Sequence, residues 1–247
     1  DLGQLEVLKS EFVSNVTHEL KTPLVTVRGY CEMLAKGRLG PVTEPQARAL
    51  ETMSRNVHRL LGMIQNILQF GRLKQQGELS LSRSRFDVLD LVQRLAADFD
   101  PILGERRLSL GIDAAGRGLE AVADRDQIAH VISNLLSNAC KFTPPEGRIT
   151  IGIRQLRTGE LRIEVSDTGP GIPPEEQALV FERFRQADGS QRRKYGGTGL
   201  GLAIVREILQ SHGSVIRLES RVGEGSRFWF ELPGAHGPGG SGDSTSM

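Results

Sequence analysis

Residues 134–142 read Asn-Leu-Leu-Ser-Asn-Ala-Cys-Lys-Phe, and this stretch decides how the rest of the chain is interpreted. At about 100° per residue, Asn134, Asn138 and Lys141 share one face of a helix. That face borders a stripe of apolar residues formed by Ile128, Val131, Leu135, Ala139 and Phe142. The polar face therefore lies where the wall of a pocket would be. Amide oxygens can bind a hard cation and lysine can bind phosphate, although a solvated helix edge would give the same pattern.

Two glycine-containing segments follow. Asp167-Thr168-Gly169-Pro170-Gly171 comes after a predicted strand at residues 161–165. An aspartate at a strand end can accept a hydrogen bond from an exocyclic amine, and glycines let a ligand ring approach the backbone. Taken alone, however, this string is a common turn.

The second glycine segment, Gly196-Gly197-Thr198-Gly199-Leu200-Gly201, runs into a predicted helix. The N–H groups at a helix N-terminus suit phosphate. The segment lacks the Lys-Ser/Thr pair of a Walker P-loop. It also follows a polar stretch, whereas a Rossmann fingerprint follows a strand.

The N-terminal part carries a histidine on a helix. Apolar residues recur every three or four positions over residues 5–34, as in an amphipathic helix that Pro23 should kink. His18 lies off this apolar stripe, and the adjacent Glu19 can hold one ring nitrogen while the other attacks phosphate. Thr22 lies one turn further along the same face. A lone exposed histidine is ordinarily only a surface residue, and spacing does not decide between the two interpretations.

A second helix is predicted after the turn at Gly37, Gly40 and Pro41, with Thr43 as its N-cap. Its apolar residues alternate spacings of three and four, as in a coiled-coil seam. The seam consists of Leu50, Met53, Val57, Leu60, Ile64 and Ile67, widened by Leu61 and Leu68. Two helices cannot cover so wide a stripe, so we predict a homodimer in which two copies form a four-helix bundle.

After residue 76 the pattern changes to short strands and helices. Strands are predicted at residues 79–86, 108–112, 121–123, 149–156, 161–165, 215–219 and 226–232. Helices are predicted at residues 88–103, 126–142, 174–181 and 199–212. The predicted fold is therefore α+β, with a helical hairpin at residues 1–76 and an α/β sandwich at residues 77–233. The Gly/Ser/Pro-rich residues 234–247 are predicted to be a disordered tail.

Composition narrows the classes of partner. The 247 residues include 31 basic and 30 acidic side chains, so no charge excess calls for nucleic acid or an anionic membrane. No apolar run approaches the roughly 20 residues of a membrane span. Cys31 and Cys140 lie in apolar helical patterns and are interpreted as buried thiols in a reducing compartment. The chain starts directly in a helix at Asp1, which suggests a cytoplasmic fragment whose sensing or membrane-anchored part precedes it.

In chain order, these motifs resemble the H, N, G1 and G2 boxes of sensor histidine kinases, with Phe181-Glu182-Arg183-Phe184 as the F box. The resemblance covers about residues 5–233. The second half resembles the fold shared by gyrase, Hsp90-type chaperones, histidine kinases and MutL, called GHKL. It implies that ATP phosphorylates His18, assisted by Glu19, and that the phosphate passes to an aspartate of a response-regulator receiver domain. Thr22 resembles the residue that orients water for dephosphorylating the receiver.

The resemblance also implies a role for each matched position. Asp167 would contact the adenine amino group, and Asn138 would bind Mg²⁺. Asn134 and Lys141 would lie beside the phosphates. The polar stretch from Arg185 to Tyr195 would form a lid over ATP. The other implied nucleotide-binding positions are Phe142, Gly169, Gly171, Phe181, Gly197, Thr198, Gly199, Leu200 and Gly201.

Two other functions stay open on the sequence alone. An ATP-driven conformational clamp of the same fold would keep Asn138, Asp167 and the glycines but would not need His18. A pseudokinase scaffold would bind nucleotide without turnover and use the helical part only to dimerise. Every box residue expected to be essential is present, which favours an active kinase. The other histidines show no metal-ligand spacing and are interpreted as structural or surface residues: His58, His130, His212 and His236.

Overall fold

The computed structural model describes residues 20, 22–76, 81–116, 118–182 and 199–235. The chain divides into two compact units, Asp1–Gly77 and Glu78–Met247. In the described part of the chain, no helix is both long enough and apolar enough to cross a bilayer.

The described part of the first unit contains two helices. The described part of α1 covers residues 22–35, and α2 covers Glu44–Gln76. The connection turns at Gly37 and Gly40, whose φ angles of 68° and 111° suit glycine. The predicted N-cap, Thr43, donates its N–H to the side-chain oxygen of Gln46 at 2.8 Å, which is one half of a capping box. The kink predicted at Pro23 depends on backbone that lies mostly outside the described residues.

The apolar stripe of this unit is only partly covered. Cys31, Leu50, Val57, Leu61 and Ile64 are buried. Two other seam residues, Met53 and Leu60, remain 50% and 45% exposed. The single chain therefore leaves part of the predicted seam facing solvent.

The described strands of the second unit form two sheets. Its described strands are β1 Arg83–Asp87, β2 Ser109–Ala115, β3 Glu120–Asp124, β4 Arg148–Gln155, β5 Leu161–Asp167, β6 Arg217–Arg221 and β7 Gly225–Leu232. Five strands form a mixed sheet in the order β2-β4-β5-β7-β6, in which only β2 and β4 run parallel. Strands β1 and β3 pair separately. The turn predicted at Thr158-Gly159 joins β4 to β5, and Gly159 has a φ of 90°.

Helices cover one face of the larger sheet. They are α3 Val88–Arg106, α4 Arg125–Phe142, α5 Pro174–Gln177 and α6 Gly201–Ser211. Alternate strand residues are fully buried beneath them, including Ile149, Ile151 and Ile163. The opposite sheet face carries ion pairs such as Arg162 with Glu231 at 2.7 Å. This α/β sandwich, preceded by a helical unit, confirms the predicted fold class.

Several predicted elements differ from the structure. The strands predicted at residues 108–112 and 215–219 are observed as Ser109–Ala115 and Arg217–Arg221. Strand β1 starts at Arg83, so residues 81 and 82 of the strand predicted from residue 79 lie outside it, because its partner β3 supplies only five paired positions. Residues 79 and 80 lie outside the described residues. The helix predicted at residues 174–181 is instead the short α5 followed by a 3₁₀ turn, Leu179–Phe181. Gly234 and Ala235, assigned to the disordered tail, continue the pairing with β3: Gly234 bridges to Ala121 and the Ala235 N–H donates to the Glu120 carbonyl.

Candidate functional site

Helix α4 presents the polar face that its sequence predicted. Its N-cap, Asp124, accepts the N–H of Gln127 at 3.1 Å. Asn134, Asn138 and Lys141 are half-buried, beside the fully buried stripe of Ile128, Val131, Leu135 and Ala139. Phe142, which was assigned to that stripe, is only half-buried. The Lys141 ammonium lies 4.6 Å from the centre of its ring, within the range of a cation–π interaction.

Asn134 stands against the start of helix α6. Its side-chain N–H donates to the His130 carbonyl at 3.0 Å, which fixes the orientation of the amide. A Cβ added at Gly201 would lie 3.0 Å from the Asn134 Oδ1. The two predicted motifs at residues 134 and 201 are therefore in contact, although they are distant in sequence.

The N-terminus of α6 differs from those of the neighbouring helices. Helices α3 and α4 start at Asp87 and Asp124, whose carboxylates accept backbone N–H groups. Helix α6 starts after Leu200, which is buried and provides no side-chain cap. The positive end of the α6 dipole therefore has no carboxylate at its cap position, and it lies beside an amide oxygen.

The Asp167 carboxylate occupies a partly buried site at the end of β5. Its Oδ1 accepts the Gly169 N–H at 2.8 Å. Burial raises the pKa of Asp167, and this outweighs the opposite effect of the Gly169 and Ser226 N–H groups. A Cβ added at Gly169 would lie 2.6 Å from Oδ1 and 3.5 Å from the Phe142 carbonyl. The loop after β5 therefore contacts the C-terminal end of α4.

The rest of that loop is fixed to the turn between β6 and β7. Gly171 has a φ of 72° and packs directly against the backbone of Arg221. The Ile172 N–H donates to the Ser220 hydroxyl at 2.8 Å. The Gln177 side chain donates to the carbonyls of both Ile172 and Ser220, at 2.9 and 3.0 Å. Gln177 and Ser220 were not predicted from the sequence, because their partners are remote along the chain and no motif marks them.

Phe181 anchors the segment that precedes the undescribed stretch. Its ring meets Phe228 of β7 edge-on, with ring centres 6.3 Å apart. The 3₁₀ turn that carries Phe181 also packs against α6. In the described residues, Phe181 thus contacts the core of the unit.

Several predicted site residues lie outside the described residues: His18, Glu19, Arg185, Tyr195, Gly197 and Thr198. Thr22 is exposed in the first described turn of α1, where its carbonyl accepts the Thr26 hydroxyl at 3.2 Å. Gly199 has a φ of 67°, which suits the glycine predicted there.

Known families match both units. Residues 8–76 match the "His Kinase A (phospho-acceptor) domain", and residues 123–236 match the "Histidine kinase-, DNA gyrase B-, and HSP90-like ATPase" family. The catalytic domain of the histidine kinase ThkA is 31% identical, with 95% of that chain and 62% of this one covered at a TM-score of 0.55. The chain belongs to the histidine kinase family.

Curated histidine kinases are similar over nearly all of the chain. CikA, the circadian input-output histidine kinase of Synechococcus elongatus, is 40% identical over 91% of the chain. Hybrid signal transduction histidine kinase D of Dictyostelium discoideum is 37% identical over 94% of it. The chain spans only 30% and 15% of the lengths of these two relatives.

Solved histidine kinases share the arrangement of elements. Full-length ShkA in complex with AMPPNP is 28% identical, at a TM-score of 0.73, over 92% of this chain and 47% of that one. ThkA in complex with the response regulator protein TrrA is 26% identical, at a TM-score of 0.62, over 94% of this chain and 63% of that one. The resemblance to histidine kinases and to the GHKL fold is thereby confirmed.

Proposed function

We propose that this chain is the catalytic core of a sensor histidine kinase, which uses ATP to phosphorylate His18 and passes the phosphate to an aspartate of a receiver domain. The observation that carries the proposal is the contact between Asn134 and Gly201, which places an amide beside a helix N-terminus with no carboxylate at its cap position. The AMPPNP bound to ShkA and the response regulator bound to ThkA support the same assignment by similarity.

The described residues suit a purine nucleotide. The Asp167 carboxylate can accept a hydrogen bond from an exocyclic amine, and Gly169 keeps the adjacent surface free of a side chain. The start of α6 offers N–H donors and a positive dipole end to phosphate. Lys141, on the same α4 face as Asn134, adds a positive charge for the phosphates.

The donor set also fits Mg²⁺, which prefers oxygen ligands and keeps several of its waters when it binds together with substrate phosphates. Asn138 would hold the ion through its side-chain oxygen, one helical turn from Asn134. Bound there, the ion would offset the negative charge of the phosphates.

The acceptor residues belong to the first unit. We assign His18 as the phosphoryl acceptor and Glu19 as the carboxylate that accepts the N–H of the non-attacking ring nitrogen, which fixes the tautomer. Phosphoryl transfer depends mainly on positioning and charge neutralisation, so the protein needs no further covalent chemistry. The lid from Arg185 to Tyr195 would exclude water, which otherwise competes with His18 as acceptor. Thr22 would orient water for dephosphorylating the receiver, which gives the kinase a phosphatase activity.

We further propose that residues 1–76 form a homodimeric four-helix bundle and residues 77–233 the ATP-binding domain. The exposed seam residues Met53 and Leu60 favour the dimer, because a second copy would cover them. The near-neutral charge gives no reason to propose a nucleic-acid partner. The proposed location is the cytoplasm, where ATP and receiver proteins are available.

Incubation with γ-labelled ATP and magnesium tests this function. We expect acid-labile, alkali-stable label on the wild type, none on His18→Gln or Asn138→Asp, and normal label on the control His58→Gln. ATP hydrolysis with no label on the protein would indicate the conformational clamp instead. Nucleotide binding with neither hydrolysis nor label would indicate the scaffold.

A further inference from the structure

A buried histidine connects the two helices of the nucleotide site. His212 follows the last residue of α6 and is only 6% exposed. Its Nε2 lies 3.1 Å from the Asp124 backbone N, and its Nδ1 lies 2.7 Å from the Ile208 carbonyl oxygen. Both ring nitrogens therefore have backbone partners, one on α6 and one at the N-cap of α4.

The two partners determine the protonation state of the ring. A backbone N–H can only donate, so Nε2 must accept, and a carbonyl can only accept, so Nδ1 must carry the hydrogen. The ring is therefore neutral. Burial lowers the pKa of His212, and the charge of Arg83 lowers it further, while the Ile208 carbonyl and the charge of Asp124 act in the opposite direction. A protonated ring would point an N–H at the Asp124 N–H and lose this contact.

The position of the contact links it to the nucleotide site. Helices α4 and α6 pack against each other. His212, at the C-terminal end of α6, contacts Asp124 at the N-terminal end of α4. Gly201, at the N-terminal end of α6, contacts Asn134 near the middle of α4. Ten residues of α4 separate Asp124 from Asn134, which at 1.5 Å per residue is about 15 Å. Eleven residues of α6 separate Gly201 from His212, a similar length, so fixing one end fixes the register at the other.

We propose that His212 is a positioning residue for nucleotide binding: it sets the register of α6 on α4 so that the start of α6 stands opposite Asn134. This role rests on the proposed function, because it presupposes a nucleotide at that place. It differs from a purely structural role, in which His212 would contribute to the stability of the unit without affecting how the site holds its ligand.

Two amide variants separate the two hydrogen bonds of the ring. In His212→Gln the side-chain oxygen reaches the position of Nε2 and can still accept from Asp124. In His212→Asn the shorter amide can replace Nδ1 but does not reach Asp124. Affinity is measured by calorimetric titration with a non-hydrolysable ATP analogue and magnesium. We expect the Asn variant to bind about tenfold more weakly than the wild type, which is the effect of one lost hydrogen bond. The Gln variant should stay within about threefold of the wild type.

A pH series adds a readout that stability alone does not move. Because neutral His212 supports the site and its pKa lies below the ordinary histidine value of about 6.5, wild-type affinity should hold near neutral pH and fall only as the pH drops below about 6.5. His212→Gln cannot titrate at this position, so the ratio of the two affinities should change with pH. That ratio cancels the titration of the nucleotide phosphates and of Asp167, which both proteins share. Ile153→Val, in the fully buried core of β4, controls for general destabilisation.

Any of three results would overturn the positioning role. The first is wild-type affinity in the Asn variant, measured where it is folded, and the second is the same pH dependence in the wild type and the Gln variant. If the Asn variant does not fold, the pH comparison between wild type and Gln decides alone. If Ile153→Val weakens binding as much as His212→Asn does, the effect reflects stability and the role is refuted. A wild type that binds no nucleotide at any pH would refute the proposed function itself.

Discussion

Gly201→Ala is expected to weaken nucleotide binding without destabilising the fold. The new Cβ would lie 3.0 Å from the Asn134 Oδ1, closer than an ordinary van der Waals contact. Asn134 cannot move away at no cost, because its side-chain N–H is bonded to the His130 carbonyl at 3.0 Å. The substitution therefore acts on the contact between α4 and α6 from which the site is built.

The magnitude follows from that hydrogen bond. Displacing the Asn134 amide by a few tenths of an ångström weakens or breaks a bond whose net contribution is about 0.5–1.5 kcal/mol. Since 1.4 kcal/mol corresponds to a factor of ten, affinity for Mg²⁺-ATP should fall roughly 2- to 12-fold. Alanine is a better helix former than glycine, by about 1 kcal/mol at interior positions and by less at a first helical residue such as Gly201. This gain offsets the weakened hydrogen bond, so the stability of the unit should change little.

Calorimetric titration and urea unfolding measure the two effects separately. Gly104→Ala is the matched control, because Gly104 lies in helix α3 and a Cβ added there would meet no neighbouring atom within 4 Å. It should gain stability and bind nucleotide normally. Wild-type affinity in Gly201→Ala would refute the reasoning. The reasoning would also be refuted if Gly201→Ala weakened nucleotide binding as much in an Asn134→Ala background as in the wild type, because the effect would then not depend on the Asn134 amide.

Three further predictions concern Asp167, the glycines Gly213 and Gly171, and Thr22. Asp167→Asn should weaken ATP binding roughly 10- to 100-fold in a fluorescent-nucleotide titration, the loss of a charged hydrogen bond. Burial raises the pKa of Asp167 above 3.8. The wild type should therefore lose stability relative to Asp167→Asn as the pH rises above 3.8. Free energies of unfolding in urea that change with pH in the same way in both proteins would contradict this. Gly213→Ala should cost about 1–2 kcal/mol for its φ of 73° alone. Gly171→Ala, with a φ of 72° and a clash with the Arg221 backbone, should cost about 1–3 kcal/mol more than Gly213→Ala. Equal losses of stability in the two variants would contradict the packing of Gly171. Thr22→Ala should keep autophosphorylation and lose receiver dephosphorylation, whereas the neighbouring control Thr26→Ala should keep both.

Local patterns predicted the elements that local interactions determine. Helix α4 was predicted at residues 126–142 and covers Arg125–Phe142, because an Asp124 cap and a continuous apolar stripe define it. The hairpin between β4 and β5 follows from its glycine turn. Strand β1 was predicted too long, because its extent depends on a partner strand far along the chain.

The site divides in the same way. The polar face of α4 and the loop after β5 were predicted from spacing and motif. The contact of Asn134 with Gly201 was not, because helical periodicity says nothing about which two helices pack together. His212 was interpreted as structural or surface, and the structure places it in the interior. Its partner Ile208 lies one turn earlier in the same helix, but the contact with Asp124 could be found only from the tertiary fold.

Peptide mapping at neutral pH after incubation with magnesium and ATP tests the central claim most directly. We predict one phosphate per chain, removed by acid, on the peptide that contains His18. Phosphate on any other residue, or tight nucleotide binding with His18 unmodified, would contradict the claim that this nucleotide site supplies its phosphate to that histidine.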